Sequence, residues 1–193
     1  MSPAVYLSRV RKLEGVPGDA ALDASRSPAT SQLIIDIASA AAGERDLDQI
    51  LHETLDRLQT AVRLTGGSIA LVQGDELVIR AAVGPFADEA RGQRVGRGPG
   101  LSWRVVETLE PCLLPDIKAS EAVIRGPKAR QAMRSWLAVP IVRRGAGIGL
   151  VEIDSTTPDA FSEADVDLLQ TIVRVLSGPV ELADQGLVTV IGS

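Results

Sequence analysis

Apolar residues recur every three or four positions in two long stretches of the chain, which is the spacing of one face of an α-helix. The first stretch, residues 46–62, has its stripe at Leu47, Ile50, Leu51, Leu55, Leu58 and Val62. The second follows Ser162, and its stripe consists of Val166, Leu169, Ile172, Val173 and Leu176. Ser162 and Asp165 have the spacing of a capping box, and Gly178-Pro179 should kink or end this helix. Another helix is expected over residues 31–42.

Between these helices the pattern changes to short apolar runs bounded by Gly, Pro and Asp, as is typical of β-strands. One hairpin is expected from residues 68–73 and 76–83, and a second from 137–143 and 148–154 with its turn at 145–147. In the second strand, alternating residues should share one half-buried face: Leu77, Ile79, Ala81 and Val83. The other predicted elements are a helix at 101–109, a strand at 112–114 and a short helix within 118–135. Strands between terminal helices make the fold α/β in broad terms and α+β by segregation.

Composition defines the kind of core and the class of protein. Hydrophobic residues make up 45% of the chain and aromatic residues only 3%, so the core should be aliphatic. The apolar runs are far shorter than the roughly 20 residues that a membrane span needs, and the start has no secretory apolar region. We therefore expect a flexible arm at 1–27, one domain at 28–184, a tail at 185–193, and a cytoplasmic location without a membrane partner.

Charge is unevenly distributed along the chain. The formal net charge of −5 argues against nucleic-acid binding, yet nine basic and four acidic residues lie between Arg91 and Arg134. Arg97 belongs to a Gly-rich turn before a predicted helix, where backbone N–H groups and a guanidinium together favour anions. This suggests an anionic or carboxylate-bearing small ligand. A solvated basic face, or one that docks an acidic partner, is the alternative.

Three segments carry a family resemblance: GRGPGLSWRVVETLEPCLLPD, LAVPIVRRGAGIGLVEIDS and FSEADVDLLQTIVRVL. In this order they resemble a GAF domain, a small-molecule sensory module, over roughly residues 31–184. The resemblance implies a GAF-like α+β fold with a central antiparallel sheet of five or six strands. Terminal helices should pack on one face, with loops and short helices over a ligand pocket on the other. The candidate ligand-binding residues are Arg97, Leu101, Trp103, Asp116, Val139, Glu152 and Ile153.

Two positions in this candidate pocket allow alternative interpretations. Trp103 stands where family members commonly carry Gly, so its ring either fills the core or offers a surface on which a planar ligand stacks. Glu152 and Asp154 are two apart on a strand and face the same side. They either point together into the pocket or are solvated on the open face.

Each known chemistry of this family needs particular residues. Free methionine-(R)-sulfoxide reductases, which this chain resembles, need two cysteines, but the matching places at 99–101 and 122–125 contain none. Cys112 stands alone on a predicted strand, as a buried hydrophobe would. The cyclic-nucleotide and bilin signatures are incomplete, and His52 is the one histidine available to a haem. The chain is therefore predicted not to be an enzyme and to hold no metal, and a cofactor is not identified.

The resulting expectation is a free-standing sensory or regulatory domain that binds a small ligand and signals through a downstream protein partner. The helices at 31–42 and 163–182 are expected to form a homodimer. One alternative is a protein-interaction or dimerisation module with a closed pocket. The least favoured alternative is a divergent reductase-like enzyme, because its cysteines are missing.

Overall fold

A computed structural model of the chain describes residues 28–42, 46–119 and 132–191. The helices in these ranges are α1 Pro28–Ala42, α2 Leu47–Ala61, α3 Ala87–Ala90, α4 Leu101–Thr108 and α5 Glu163–Ile191. The strands are β1 Gly66–Gln73, β2 Glu76–Val83, β3 Arg94–Gly96, β4 Cys112–Leu114, β5 Ser135–Arg143 and β6 Ala146–Ser155. A 3-10 helix covers Ile117–Ala119. The predicted arm at 1–27 and most of the short helix predicted within 118–135 lie outside the described residues.

In the described part of the chain, six strands form one sheet in the order β3-β2-β1-β6-β5-β4. Each neighbouring pair is antiparallel. The long strands β1, β5 and β6 occupy the middle, and the three-residue strands β3 and β4 are at the two edges. Short edge strands leave few unpaired backbone groups, which limits edge-to-edge association. The prediction of an α+β fold with an antiparallel sheet of five or six strands is confirmed.

One face of the sheet is covered by the terminal helices α1 and α5 together with α2. Fully buried side chains from all three helices meet the sheet in one apolar cluster, for example Ile37, Leu51 and Leu169 against Ile69 and Val151. Full burial of one such side chain contributes about 1.5–3 kcal/mol relative to an exposed one. The predicted packing of the terminal helices on one face is confirmed, and we call this the helix face.

The opposite face, which we call the cavity face, is covered by α3, α4 and loops. Its apolar cluster is built around Trp103 of α4 and includes Leu77, Ile79, Val105, Leu114, Trp136 and Leu150. The middle strands therefore have packed residues on both sides. This explains why their sequences read as nearly continuous apolar runs and show little alternation.

The alternation predicted for β2 is interrupted at Arg80. Adjacent residues of β1 pair with Ile79 and Ala81, so Arg80 is the extra residue of a β-bulge. Leu77 and Ile79 consequently lie on the cavity face, whereas Ala81 lies on the helix face. The prediction that these four residues share one face is wrong, because a single inserted residue inverts the direction of the side chains that follow.

The turn of the β5–β6 hairpin lies one residue earlier than predicted. Arg144 and Gly145 have φ values of 50° and 78°, which are the left-handed conformations of a two-residue type I′ turn. Gly147 instead belongs to β6, where a Cβ would lie 2.2 Å from the Val106 carbonyl oxygen of α4. The glycine at 147 therefore permits close packing of helix on strand and takes no part in the turn.

The last helix begins as predicted but does not end as predicted. The backbone N–H and the hydroxyl of Ser162 both donate to Asp165 Oδ2 at 2.8 Å, which is the reciprocal half of the predicted capping box. The helix then continues through Pro179 to Ile191, so Gly178-Pro179, which was predicted to kink or end the helix, does not end it. Beyond the proline, α5 is held to the sheet by two ion pairs of Glu181, with Arg143 at 2.5 Å and Arg144 at 2.9 Å.

Candidate functional site

A cavity of about 170 Å³ opens on the cavity face, beside α3 and over the start of β1 and the end of β6. Its wall is polar on the side of β1 and β6 and apolar on the side of β2, α3 and β5. The polar lining consists of Thr65, Ser68, Gln93, Glu152, Asp154 and Thr156. The apolar lining includes Ile79, Ala82, Val83, Pro85, Phe86, Ala87, Ala90, Met133 and Trp136. A concave site with an apolar wall and a few convergent polar groups is the usual form of a small-molecule site.

Two carboxylates of β6 form the polar wall of this cavity. Glu152 and Asp154 are two residues apart on the strand, so both lie on the cavity face. Glu152 is held in place by hydroxyls from two other elements, because Ser68 donates to its Oε1 at 2.9 Å and Ser102 donates to its Oε2 at 3.2 Å. Asp154 lies over Gly66 of β1, where a Cβ would come within 2.9 Å of Oδ2. A glycine at position 66 thus makes room for the second carboxylate.

The apolar wall comes from three separate parts of the chain. Trp136 at the start of β5 is buried, with 4% of its surface exposed, and Phe86 before α3 is exposed to 44%. The chain reaches α3 through Gly84, whose φ is +100° and whose Cβ would lie 2.5 Å from the Thr65 carbonyl oxygen. Only glycine fits this close approach, which brings α3 and Phe86 back over the start of β1.

Of the seven predicted site residues, Glu152 lines the cavity. Val139 and Ile153 lie on the helix face, where they belong to the core beneath the terminal helices. Ile153 is adjacent to Glu152 in β6, and adjacent residues of a strand point to opposite sides of a sheet. The structure therefore separates these two residues from the cavity. Glu152 and Asp154 both line the cavity, which agrees with the first of their two interpretations.

Leu101, Trp103 and Arg97 lie together at the start of α4 and outside the cavity lining. Leu101 is buried, and Trp103 is 1% exposed with its Nε1 donating to the Val95 carbonyl oxygen at 3.0 Å. The guanidinium of Arg97 lies 4.9 Å from the centroid of the Trp103 ring and 3.4 Å from a carboxylate oxygen of Glu107. Trp103 thus fills the core, as one of the two interpretations held, and Arg97 covers its outer side.

Asp116 forms a bidentate ion pair with Arg134, with N–O distances of 3.0 and 2.7 Å. The backbone N–H of Lys118 donates to the same carboxylate at 3.1 Å. The hydrogen bonds from Arg134 are the main reason why the pKa of Asp116 is lowered from its usual value, with a smaller contribution from Lys118. The pair joins the chain segments on either side of residues 120–131, and Asp116 is placed at this junction and not in the cavity lining.

The thiol of Cys112 is buried in the cluster on the cavity face and is 6% exposed. Burial raises its pKa to about 11, so the protonated form predominates at neutral pH. His52 on α2 has its Nδ1 2.8 Å from the Asp48 carbonyl oxygen, which is the hydrogen bond of a helix-surface histidine. In residues 28–42, 46–119 and 132–191, His, Cys, Asp and Glu form no cluster of three or more that could hold a metal.

Sequence reasoning did not single out Ser68, Phe86 or Trp136. Ser68 precedes an apolar run and has no motif around it, while Phe86 and Trp136 reach the cavity only through long-range folding. One local signal was available, since polar residues at 152 and 154 alternate with apolar residues at 151 and 153. This alternation separates the cavity side of β6 from its core side.

The arrangement defines a class: a single-sheet α+β domain with a small-ligand cavity on the face opposite its terminal helices. The chain belongs to the GAF domain family, whose family model matches residues 44–177. GAF domains commonly bind small ligands and have regulatory roles. Among the described residues, no helix is both long and apolar enough to cross a membrane.

Solved structures share this fold. The GAF domain of a phosphoenolpyruvate-protein phosphotransferase from Acinetobacter is 22% identical with a TM-score of 0.74, over 83% of this chain and 97% of that one. A free methionine-R-sulfoxide reductase from Neisseria meningitidis, in complex with its substrate, is 26% identical with a TM-score of 0.70, over 86% and 98% of the two chains. The type II reductase from Thermoplasma acidophilum is 21% identical with a TM-score of 0.62, over 71% and 96%. A comparison with curated protein sequences finds no match.

These similarities correct one sequence-based prediction. The chain was expected not to be an enzyme, but a chain of the same fold that is 26% identical over most of its length is a reductase. Membership of this family therefore does not support a non-enzymatic class. The missing cysteines argue only against the sulfoxide reductase reaction, and they do not decide whether the chain is an enzyme.

Proposed function

We propose that this GAF domain is a regulatory module that binds a small ligand in the cavity beside α3 and passes the binding event to protein contacts made by its terminal helices. The observation that carries this proposal is the cavity itself, with its oriented carboxylate on one wall and its buried tryptophan on the other. A water molecule needs about 10–15 Å³ of such space, so 170 Å³ accommodates a ligand on the order of ten non-hydrogen atoms.

The residues in the cavity bear on the polarity of this ligand. Sequence reasoning favoured an anionic ligand because of Arg97, which in the structure covers the outer side of Trp103. The cavity wall carries Glu152 and Asp154 instead. The proposed ligand therefore presents polar groups to β6 and an apolar surface to Trp136.

Strand β6 provides a physical connection between ligand and helices. Its residues 152 and 154 line the cavity, while Val151 and Ile153, which alternate with them along the strand, pack against the helices on the other face. A shift of β6 on ligand binding would therefore change the packing of α5. The terminal helices also carry large exposed apolar side chains, with Ile35 of α1 exposed to 55% and Leu182 of α5 to 70%. We propose that they form a homodimer through residues 31–42 and 163–182 and contact a downstream partner.

Filling the cavity tests the ligand proposal. Ala90 of α3 is half-buried, packs at the edge of the cluster on the cavity face and lines the cavity, so Ala90→Phe should occupy the ligand space. Native mass spectrometry of freshly purified protein should show a retained small molecule, or thermal shift against amino acids, amines, organic acids and nucleotides should reveal a stabilising one. Ala90→Phe should abolish either signal.

Ala61→Phe is the matched control, because Ala61 is exposed at the end of α2 and outside the cavity lining. This variant should bind as the natural chain does. If no compound is retained and none stabilises the protein, or if Ala90→Phe binds as well as Ala61→Phe, the proposal fails. The alternative of an interaction module with a non-binding pocket would then be preferred.

A further inference from the structure

A crevice of about 140 Å³ lies at the outer edge of the sheet, between α5 and the end of β5. We call it the edge crevice, and it shares no lining residue with the cavity beside α3. Six of its eight lining residues are apolar, and the other two are Gln170 and Arg174 of α5. We propose that the edge crevice is a second binding site and takes a small aliphatic carboxylate. This inference goes beyond the proposed function and does not depend on it.

The crevice exists because β5 is longer than its edge neighbour. Strand β4 pairs with residues 136–138 of β5, while β5 continues to Arg143. In the described part of the chain, residues 139–143 therefore have no strand on their outer side, and α5 packs beside them. A proline within a paired strand is tolerated where its nitrogen faces an unpaired edge, so Pro140 makes this stretch a poor template for a further strand. The open edge therefore suits a small molecule better than an extended peptide.

Arg174 is the charged residue among those that line the edge crevice, and its side chain is exposed. Its guanidinium makes no hydrogen bond or ion pair with residues 28–42, 46–119 or 132–191. The positions three and four residues away on α5 are Gln170, Thr171, Ser177 and Gly178, so the helix supplies no acidic neighbour. A guanidinium with free N–H groups can form two parallel hydrogen bonds to one carboxylate. The crevice therefore carries a positive group at its rim that is available to an anion.

Gln170 provides a second donor beside Arg174. It is half-buried and lies four residues before Arg174, which places both side chains on the same face of α5. Its amide also makes no hydrogen bond within the part of the chain that the structure describes. The NH₂ group of a glutamine donates hydrogen bonds and carries no charge, so it can bind a carboxylate oxygen without cancelling the charge of Arg174. The two side chains together offer a charged and a neutral donor to one anionic head group.

The apolar walls of the edge crevice define the rest of the ligand. Val139 and Val173 are buried in the cluster on the helix face, whereas Val142 is 36% exposed. A ligand that covers Val142 removes exposed apolar surface from water, which favours an alkyl body. Because a water molecule needs about 10–15 Å³ of such space, 140 Å³ accommodates fewer than about ten non-hydrogen atoms. A carboxylate with a short branched alkyl chain meets both conditions.

The test compares probes that differ in head group or in alkyl body. We would titrate the purified, isotopically labelled full chain by amide NMR with isovalerate, isoamyl alcohol, isoamylammonium and acetate, all at equal ionic strength. Isovalerate should bind with a Kd on the order of 1 mM and shift the amides of Val142, Gln170 and Arg174. The alcohol and acetate should each bind at least about tenfold more weakly, because the alcohol lacks the charge and acetate lacks the alkyl body. The ammonium probe should not shift these amides.

Variants of the two donors locate the binding. Arg174→Gln should weaken binding of isovalerate about tenfold or more, because it removes a charged hydrogen-bond donor. Gln170→Leu keeps the volume of the side chain and should weaken binding about threefold, because it removes a neutral donor. Arg63→Gln is the matched control, since Arg63 is exposed, lines neither site and carries the same charge. It should leave the Kd within about twofold.

Every outcome supports or overturns the inference. Selective binding of isovalerate that Arg174→Gln removes and Arg63→Gln keeps supports it. No binding of isovalerate, equal binding of all four probes, or an equal effect of the two arginine variants overturns it. Shifts centred on Ser68 and Glu152 also overturn it, because they would place the carboxylate in the cavity beside α3. The proposed function fails separately, on the comparison of Ala90→Phe with Ala61→Phe. Should Arg174→Gln not fold, Gln170→Leu and the four probes on the natural chain still give the answer.

Discussion

Replacing Trp103 with Phe should destabilise the domain by about 2–3 kcal/mol while leaving ligand binding unchanged. The reason for the first part is that Trp103 is 1% exposed and belongs to the apolar cluster under α4. The reason for the second is that Trp103 lies outside the cavity lining. The substitution therefore separates the two interpretations of this residue, as part of the core or as a stacking surface for a ligand.

The magnitude follows from two losses. Phenylalanine has no N–H, so the hydrogen bond from Trp103 Nε1 to the Val95 carbonyl oxygen at 3.0 Å is lost, which costs about 1 kcal/mol. The smaller ring leaves part of its space unfilled, which adds about 1–2 kcal/mol. The benzene ring still faces the guanidinium of Arg97, so most of the cation–π attraction is retained. For a domain of this size the sum corresponds to a fall in Tm of about 5–10 °C.

Urea unfolding followed by far-UV circular dichroism measures the loss of stability. The variant also leaves Trp136 as the sole tryptophan, so its fluorescence reports directly on the cavity. Arg97→Ala is the comparison, and it should cost only about 0.5 kcal/mol because its side chain is more than half exposed. A destabilisation by Trp103→Phe below about 0.5 kcal/mol, or a loss of ligand binding in that variant, would refute the assignment of Trp103 to the core.

Three further predictions concern other parts of the fold. Gly149→Ala should lower the free energy of unfolding by more than about 2 kcal/mol, because a Cβ there would lie 2.5 Å from the Ala70 carbonyl oxygen. Cys112 should be alkylated at about pH 8 roughly a hundredfold more slowly in the native protein than in urea, since burial raises its pKa to about 11. The carboxyl of Asp116 should titrate by NMR below 3.8, because Arg134 lowers its pKa. Its stabilising contribution is therefore present above about pH 4 and is lost as the pH falls through the folded-state pKa, so the Tm difference from Asp116→Asn should shrink on acidification.

Each of these predictions has a result that would contradict it. Gly96→Ala serves as the control for Gly149→Ala, since a Cβ at position 96 has nothing within 4 Å, and equal costs for both would argue against the close approach of β1 and β6. Rapid labelling of native Cys112 would mean that the thiol is accessible. A normal titration of Asp116 would mean that its pair with Arg134 does not persist in solution.

Local patterns were sufficient to predict most of the fold. The stripes of α2 and α5 and the cap formed by Ser162 and Asp165 depend on residues three or four apart, so a single sequence contains them. The β5–β6 hairpin was also predictable, but its turn was placed one residue late. That error arose because Gly147 has another role: a side chain at position 147 would collide with the Val106 carbonyl oxygen of α4. This contact joins elements that are distant in sequence, so the local pattern does not show it.

The candidate site was harder to predict because it is assembled from distant segments. The basic residues near Arg97 are clustered along the chain, and this suggested that Arg97 would bind an anionic ligand. In the folded domain Arg97 packs over Trp103 instead and does not line the cavity. Ile153 and Val139 were grouped with Glu152 although a strand directs alternate side chains to opposite faces. Phe86 and Trp136 reach the cavity through the folded arrangement of β2, α3 and β5, and no local motif indicates this.

The most direct test of the account is to map, by amide NMR, where the compound that stabilises the natural chain but not Ala90→Phe binds on the isotopically labelled chain. The account predicts shift changes at the backbone amides of Ser68, Glu152 and Asp154 and at the indole N–H of Trp136. Amides near Arg97 should stay unchanged. Shift changes centred on Arg97 and Leu101, or none in the cavity at saturating probe, would contradict the claim that the carboxylates of β6 form the ligand site.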